Sequence, residues 1–466
     1  MISWMEITNG TEKYKKFREL YQEFIYQGYR VEKKEDGIDV TYDFCIPNLA
    51  EFHPFWHFPT IYNEENEEDE EKKEALDKLF FSLGMVELIS YWKVTCSPKV
   101  TISCGYLSKE QALWWKKLYF HGLGEFFYVN HIDAKEQDFM ELEYKEQKAA
   151  PVFLSKEDVK GCLVPIGGGK DSIVSLEILK HYKEMELTVF SVNRIKAVQE
   201  VIDLCEEKVG DIKVKRVLDK NLLELNKQGY LNGHTPFSAI VAFSSVITAL
   251  LNGKRYIALS NETSANESTV KNSTVNHQYS KSFQFEQDFC WYLDTLVDTK
   301  IKYFSLLRPL TEIQIAKIFA VQAKRYHQAF RSCNAGSKQG IWCCNCPKCL
   351  FVYIILSPFL SKRELHAIFG QELLEKEEMD RYFRELTGID ENKPFECVGT
   401  RSEVLAALKY FIEQQSVLKQ ELPLLVKRYQ DFILDQGGNL KQLLKEFCDD
   451  HAVPDSFIEY VKQAIK

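Results

Sequence analysis

The sequence predicts an α/β protein in which a parallel sheet carries helices on both faces. Two observations support this fold class. Residues 151–330 alternate short β-branched apolar segments with segments of helical periodicity, which is the pattern of repeated βα units. The first of these units joins its strand to its helix through three consecutive glycines. In such sheets ligands bind at the carboxyl ends of the strands, so we expect the functional site there.

The 466-residue chain is longer than one hydrophobic core usually organises, and we predict domains at 1–150, 151–330 and 331–466. A formal charge of −9 argues against a broad nucleic-acid surface and leaves small anionic substrates as partners. The longest apolar stretches are too short for a membrane span, and the first residues show no secretory signal. We therefore expect a cytoplasmic protein whose thirteen cysteines are reduced.

The first predicted domain, 1–150, has the pattern of a compact α+β fold that contributes to substrate binding. Strand-like segments occur at 38–44, 91–96 and 100–102. An acidic run at 63–73 is interpreted as a solvated loop or helix start.

The middle domain is predicted element by element. Strands are expected at 161–166, 187–192, 212–217 and 255–260, and helices after residue 170, near 196–209 and at 237–252. From 361 onward the periodicity is helical to the end, so the third domain is predicted to be a cysteine cluster followed by a helical tail.

The glycine turn between the first strand and helix is suited to binding an anion. Glycines allow successive backbone N–H groups to converge, and they let phosphate oxygens approach closely. The following helix adds its unpaired N–H groups and its dipole. The turn consists of Gly167, Gly168, Gly169, Lys170, Asp171 and Ser172. Ser172 could donate to a phosphate, and Asp171 could cap the helix or hold Mg²⁺.

Two commoner phosphate-binding motifs do not fit this turn. A Walker A loop needs glycine where Val164 stands and Ser or Thr where Asp171 stands. The dinucleotide motif GxGxxG fails at its last glycine. The turn instead resembles the SGGxDS loop of the PP-loop ATP pyrophosphatases, with Gly167 in place of the usual Ser. This resemblance implies binding of ATP with Mg²⁺ and its cleavage to AMP and diphosphate.

Five cysteines crowd between residues 333 and 349. Cys333, Cys343, Cys346 and Cys349 have the spacing of four thiolate ligands, with Cys344 to spare. A structural zinc site is our first interpretation, and an iron–sulfur cluster is the second. A redox CxxC pair fits less well because nothing thioredoxin-like surrounds it. The cluster is similar to the zinc site that follows the PP-loop domain in 7-cyano-7-deazaguanine synthases.

The segments 165–172, 260–267, 276–282 and 346–349 together resemble the UDP-N-acetylmuramoyl-L-alanyl-L-glutamate epimerases. The likeness extends over nearly the whole chain, including the aromatic amino-terminal domain. It implies an enzyme of peptidoglycan precursor synthesis that inverts the terminal L-Glu of UDP-MurNAc-L-Ala-L-Glu to D-Glu. The implied route is an acyl-adenylate, because adenylation cancels the carboxylate charge that opposes removal of the Cα proton.

Candidate catalytic residues lie in the segment 260–286, just past a predicted strand. They are Glu262, Glu267, His277, Tyr279 and Lys281. His277 titrates near neutrality and is the preferred base. Lys281 could hold the α-phosphate or the substrate carboxylate. The simpler alternative is that these side chains only hydrogen-bond a long loop, although so many polar groups favour a binding loop.

Other interpretations remain open from sequence. The zinc site would also suit a PP-loop enzyme that modifies nucleobases or tRNA, and a nucleotide sensor without turnover is a third possibility. The turn 233–237 resembles a substrate- or nucleotide-facing turn, but a helix start with Thr235 as N-cap and Pro236 at the first helical position explains it almost equally well.

Overall fold

The structure is a computed structural model that describes residues 9–60, 69–156, 159–205, 209–267, 269 and 276–466. Its strands are β1 (Glu23–Lys34), β2 (Gly37–Ile46), β3 (Ala50–Phe52), β4 (Phe55–Pro59), β5 (Lys99–Leu107), β6 (Glu141–Glu146), β7 (Val152–Phe153), β8 (Lys160–Pro165), β9 (Leu187–Val192), β10 (Gly210–Val217), β11 (Lys254–Leu259), β12 (Val297–Asp298) and β13 (Lys302–Ser305).

Its helices are α1 (Gly10–Leu20), α2 (Glu70–Trp92), α3 (Lys109–Gly122), α4 (Gly124–Val129), α5 (Lys170–Lys180), α6 (Lys196–Asp203), α7 (Lys220–Lys227), α8 (Phe237–Leu251), α9 (Phe283–Leu296), α10 (Glu312–Gln322), α11 (Pro347–Leu356), α12 (Lys362–Phe369), α13 (Asp380–Thr387), α14 (Arg401–Leu418), α15 (Leu424–Arg428), α16 (Gln430–Gln436), α17 (Leu440–Leu443) and α18 (Asp455–Ala464). The α/β class is confirmed.

The chain forms two compact units, each built from three segments. Unit 1 comprises Met1–Lys160, Ile212–Tyr256 and Gln278–Lys302, and unit 2 comprises Gly161–Asp211, Ile257–His277 and Tyr303–Lys466. The domain boundaries expected at 150 and 330 stay predictions. Most of the acidic run at 63–73 lies outside the described residues.

Unit 1 contains a mixed sheet with the strand order β10-β4-β2-β1-β5-β6. Strands β4, β2 and β1 pair antiparallel, whereas β1, β5 and β6 pair in parallel. Strand β2 alternates buried and half-buried residues, which confirms the strand predicted at 38–44. Helices α2 and α8 pack together, and a cluster of rings formed by Trp114, Trp115, Phe243 and Tyr292 fills the core.

The strand predicted at 91–96 is wrong. Helix α2 continues through Trp92, and a turn follows it. From Leu79 to Trp92 every residue of α2 is buried. A helix enclosed on all sides shows no amphipathic period, so its apolar end is easily mistaken for a strand.

Unit 2 contains the predicted βα units. Its strands follow the order β13-β11-β8-β9, and β8 pairs with β9 in parallel. The strands expected at 161–166, 187–192 and 255–260 are confirmed, as is the helical tail from 361. Helix α10 packs against α5, and α11 packs against α14. Near the cysteine cluster, the Trp342 ring contacts Phe330 and Phe369.

Among the described residues, no helix combines the length and apolar character that a membrane span requires.

Candidate active site

The glycine turn follows the carboxyl end of β8 in unit 2, as predicted. Gly168 has a φ of 78°, and a Cβ atom there would lie 3.1 Å from the backbone of Ala197 and Val198. Only glycine adopts this positive φ and tolerates this close backbone approach without strain. By contrast, a Cβ atom at Gly167 would have nothing within 4 Å. Gly168 is therefore the residue that shapes the turn, and Gly167 faces open space.

The turn is held in place by the chain just before the first ligand-type cysteine. Arg331 N donates to the Gly168 carbonyl oxygen at 2.8 Å, and Lys170 N lies 3.4 Å from Ser332 Oγ. The N-cap of α5 is Gly169, which has no side chain to cap the helix, and Ser332 Oγ accepts from the N–H of Lys170, the first helical residue. The expectation that Asp171 caps it is wrong. Because the N-cap is a glycine, the remaining N–H groups of the first turn of α5 suit an anion, which the dipole favours.

The Lys170 ammonium is held by carboxylates. Its side chain is fully buried, and Nζ makes ion pairs with Asp171 and Glu312. Burial disfavours the ammonium form, but the two carboxylates outweigh it and raise the pKa of Lys170. Burial raises the pKa of Glu312 to about 8, an effect that Lys170 opposes. The lysine thus joins the start of α5 to the start of α10.

Further buried carboxylates surround this pair. Glu403 Oε1 accepts from Glu312 N at 2.6 Å, and Glu403 also completes a capping box with Thr400 at the start of α14. Burial raises the pKa of Glu403. Glu262 is 6% exposed and accepts from the Ser264 hydroxyl at 2.9 Å. Unit 2 therefore concentrates acidic groups around the Lys170–Glu312 pair.

The segment after β11 lies against α5 and β13. Ser260 Oγ is 2.8 Å from Ser175 Oγ, and Asn261 Nδ2 donates to Ser305 Oγ at 3.0 Å. The fully buried Arg308 donates to the Glu262 carbonyl oxygen at 2.6 Å. These contacts fix the orientation of the segment from 260 to 264.

The predicted catalytic residues fall into both units. Glu262, Glu267 and His277 belong to unit 2, whereas Tyr279 and Lys281 belong to unit 1. Glu267 forms an ion pair with Lys393 at 2.6 Å. The half-buried His277 donates its backbone N–H to Thr269 Oγ1 at 3.0 Å.

The two unit 1 candidates occupy one 3₁₀ turn, Tyr279–Lys281. Tyr279 is 7% exposed, its ring lies 5.0 Å from the His121 ring, and burial raises its pKa. The Lys281 backbone N–H donates to the Gln278 carbonyl oxygen at 2.7 Å. Burial thus favours the protonated hydroxyl of Tyr279.

The cysteine cluster brings together the four predicted sulfurs. The Sγ atoms of Cys333, Cys343, Cys346 and Cys349 lie within 4.8 Å of one another. Three of the separations are 4.0, 3.7 and 3.5 Å, close to the roughly 3.8 Å between thiolates around tetrahedral zinc. Cys344 instead directs its thiol to the Phe369 carbonyl oxygen at 3.2 Å.

Sequence patterns did not identify several residues of these sites. Glu312, Glu403 and Arg308 lie far from the turn in sequence, and only the Thr400–Glu403 capping-box spacing gave a local signal. The turn at 233–237 also differs from its simpler interpretation. Helix α8 begins at Phe237 and its N-cap is Pro236, which makes no side-chain capping hydrogen bond, so Thr235 is not the N-cap.

Comparison with known proteins gives consistent matches along the chain. The family model of the MurL N-terminal domain matches residues 15–306, and that of the MurL C-terminal domain matches residues 327–435. No solved structure matches the chain.

Three relatives carry the name UDP-N-acetyl-alpha-D-muramoyl-L-alanyl-L-glutamate epimerase. The relative from Xanthomonas oryzae is 34% identical over 83% of this chain and 86% of its own length. The relative from Micromonospora is 36% identical over 73% of this chain and 76% of its own length. The relative from Salinispora tropica is 33% identical over 74% of this chain and 75% of its own length.

Proposed function

Since the chain belongs to the UDP-N-acetyl-alpha-D-muramoyl-L-alanyl-L-glutamate epimerase family, we propose that it inverts the terminal L-Glu of UDP-MurNAc-L-Ala-L-Glu to D-Glu, with ATP converted to AMP and diphosphate. The observation that carries this proposal is the similarity to the Xanthomonas oryzae epimerase, which extends over 86% of that protein. The product is a precursor for peptidoglycan, so the reaction serves cell-wall synthesis, cell shape and cell division.

The chemistry requires activation before proton removal. Loss of the Cα proton next to a free carboxylate would create a doubly charged carbanion. ATP supplies an adenylyl group that neutralises this carboxylate as an acyl-adenylate. The Cα proton then leaves toward a base, its electron pair moves into the activated carbonyl, and a proton returns on the opposite face. Hydrolysis of the acyl-adenylate yields the D-Glu product.

In this proposal the turn from Gly167 to Ser172 is a PP-loop that holds the β- and γ-phosphates of ATP. The positive φ of Gly168 and the glycine N-cap of α5 support it, because this backbone suits the close approach of phosphate oxygens to N–H groups. Lys170 acts through its backbone and shapes the loop, since its ammonium is buried among carboxylates. Asp171 and Glu262 offer the oxygen ligands that Mg²⁺ prefers, and both act electrostatically on Glu312.

The proposed proton-transfer group of unit 2 is His277. Its imidazole is half-buried, and imidazole is the side chain most often used as a general base. Glu267 is paired with Lys393, so we assign it to positioning. Tyr279 serves as a hydrogen-bond donor, and Lys281 binds the α-phosphate or the substrate carboxylate.

The four-cysteine cluster is proposed to bind a structural zinc ion. The sulfur separations fit tetrahedral coordination, and three backbone N–H groups, those of Gly336, Asn345 and Cys349, donate to the ligand sulfurs. None of the thirteen cysteines forms a disulfide, which also suits a reducing compartment, so we place the reaction in the cytoplasm. We retain three domains with boundaries at 150 and 330, of which the first contributes to substrate binding.

The decisive experiment incubates the protein with ATP and UDP-MurNAc-L-Ala-L-Glu in D₂O. We expect deuterium at the glutamate Cα, D-Glu in the recovered product and one AMP formed per turnover. ATP consumption without exchange at Cα would contradict the epimerase. An enzyme that forms ADP would contradict the PP-loop assignment while leaving the epimerisation intact.

A further inference from the structure

Ser332 brings a hydroxyl group to the glycine turn of unit 2 from a distant part of the chain. Its Oγ atom accepts from the backbone N–H of Lys170 at 3.4 Å, although the two residues are 162 positions apart in sequence. A Cβ atom added to Gly169 would lie only 3.0 Å from the same Oγ atom. The serine therefore contacts the backbone at the point where the turn passes into α5.

The chain on both sides of Ser332 is fixed by contacts within unit 2. On one side, Arg331 N donates to the Gly168 carbonyl oxygen at 2.8 Å, and Arg331 Nε donates to the Gly340 carbonyl oxygen at 2.9 Å. On the other side, Cys333 is fully buried, and its sulfur lies in the four-cysteine cluster. These contacts fix the backbone of Ser332, so its hydroxyl is not needed to hold the segment in place.

The hydroxyl of Ser332 has a hydrogen to donate. A serine hydroxyl carries one donor hydrogen and accepts through its lone pairs. Within the described part of the chain, its one hydrogen bond is the bond from Lys170 N, which uses a lone pair. Ser332 is half-buried, so the hydroxyl is shielded without being enclosed. Its hydrogen can therefore meet a ligand that binds at the turn.

The side-chain donors of the turn itself are used differently. Ser172 Oγ donates to the Gly169 carbonyl oxygen at 3.1 Å, so its hydrogen stays within the turn. The Lys170 ammonium is held by the carboxylates of Asp171 and Glu312. Because these donors are engaged by protein groups, an anion at the turn gains from a donor that another segment supplies.

We infer that Ser332 is a phosphate-binding residue, whose hydroxyl donates to a β- or γ-phosphate oxygen of ATP at the glycine turn. This inference rests on the proposed function and extends its phosphate site to a segment outside the turn. The Lys170 N–H orients the hydroxyl oxygen, and the hydroxyl hydrogen is given to the phosphate. Hydrogen bonds to a charged acceptor are stronger than those between neutral groups, so the contact should contribute to affinity.

The test measures equilibrium binding of ATP with Mg²⁺ by calorimetry on the full chain, without the dipeptide, so that no turnover is required. AMP is the second probe, because it lacks the β- and γ-phosphates. The variants are S332A, which removes the hydroxyl, and S332T, which keeps one. The matched control is S108A. Ser108 is also half-buried, and its Oγ accepts from a backbone N–H at the start of a helix, that of Gln111 at 3.2 Å.

We expect S332A to weaken ATP binding about 10- to 100-fold and to change AMP binding by less than about twofold. S332T should bind ATP more tightly than S332A, because it presents a hydroxyl again. S108A should keep both affinities, although it loses the side-chain cap of α3. Thermal melting of each variant separates a loss of affinity from a loss of folded protein.

Equal ATP affinity of S332A and wild type would overturn the inference. An equal loss of ATP and AMP binding in S332A would also overturn it, because the substitution would then disturb the whole nucleotide site. So would an S332T variant that binds ATP no better than S332A, since the hydroxyl would not be the group that the ligand requires. A wild-type protein that binds neither nucleotide contradicts the proposed function instead, so the two failures are distinguishable.

Discussion

Lys170 carries a positive charge into the interior of unit 2, where its ammonium meets Asp171 and Glu312. Transfer of these charges from water costs several kcal/mol for each ion, and the pair recovers this only while both partners are present. Glu403 accepts from the Glu312 backbone and Glu262 acts electrostatically on Glu312, so further carboxyl groups surround the pair. Lys170 therefore stabilises the conformation of the turn through its ion pairs with Asp171 and Glu312.

Replacement of this lysine tests its structural role. Lys170→Met leaves Glu312 buried without its counter-charge, and we expect a loss of about 3–5 kcal/mol in the free energy of unfolding. The double variant K170M/E312Q should recover part of that loss. Urea unfolding followed by circular dichroism measures both. Lys16→Met, which removes an exposed pair with Glu19, is the control and should change little. Equal stability of K170M and wild type would contradict the assignment.

The buried Lys93 predicts a pH dependence of stability. Its pKa is about 8 in the fold against 10.5 for an ordinary lysine, so the fold favours the neutral amine. Wild-type protein should lose stability relative to Lys93→Met as the pH falls from about 10.5 to about 8, by at most about 3 kcal/mol, with no further relative change below. Thermal melting of both proteins at pH 7.5 and 10 measures this. A gap between the two melting temperatures that does not depend on pH would refute the lowered pKa.

At the scale of elements, the β8–α5 turn offers two adjacent glycines with different constraints. Gly168→Ala places a Cβ atom in a left-handed conformation and against Ala197, at a cost of about 1–2 kcal/mol. We expect kcat/KM for ATP to fall about tenfold or more. Gly167→Ala meets open space and should keep wild-type activity within about twofold. Steady-state kinetics of AMP formation compares them, and similar losses in both variants would contradict this assignment.

Sequence patterns predicted the elements that depend on local order. Strands β8, β9 and β11 and the start of α5 have periodicity and glycines that can be read directly. Helix α2 was mistaken at its end because a fully enclosed helix has no polar face. The carboxylates around Lys170 could not be found, since Glu312 and Glu403 reach it only through packing of α10 and α14. Lys93 likewise has no local signature, because its burial depends on contacts with distant segments.

At the scale of the whole molecule, each compact unit is assembled from three separate stretches of chain. Linear patterns identify βα units but give no indication of which later segments return to an earlier core. The division of the predicted catalytic residues at His277 and Gln278 follows from this interleaving. In the cysteine cluster, the spacing predicted four ligands. The structure shows that the Cys343 sulfur joins the other three, whereas the Cys344 thiol contacts the Phe369 carbonyl oxygen.

Metal removal should affect the stability of unit 2. We expect about one zinc ion per chain by elemental analysis, and its removal with a chelator should lower the melting temperature. Cys349→Ser should lose the metal, whereas Cys344→Ser should retain it because its thiol contacts Phe369 instead. Retention of zinc by C349S, or its loss from C344S alone, would contradict the assigned ligand set.

The aromatic residues give the two units different optical properties. Among the described tryptophans, Trp56, Trp92, Trp114, Trp115 and Trp291 belong to unit 1, and Trp342 belongs to unit 2. Intrinsic fluorescence therefore reports mainly on unit 1. Trp342 precedes Cys343 in the chain, and its indole contacts the Phe330 and Phe369 rings. In a variant that keeps tryptophan only at position 342, the fluorescence emission would come from unit 2 alone. It would report whether the neighbouring cysteine cluster holds a metal.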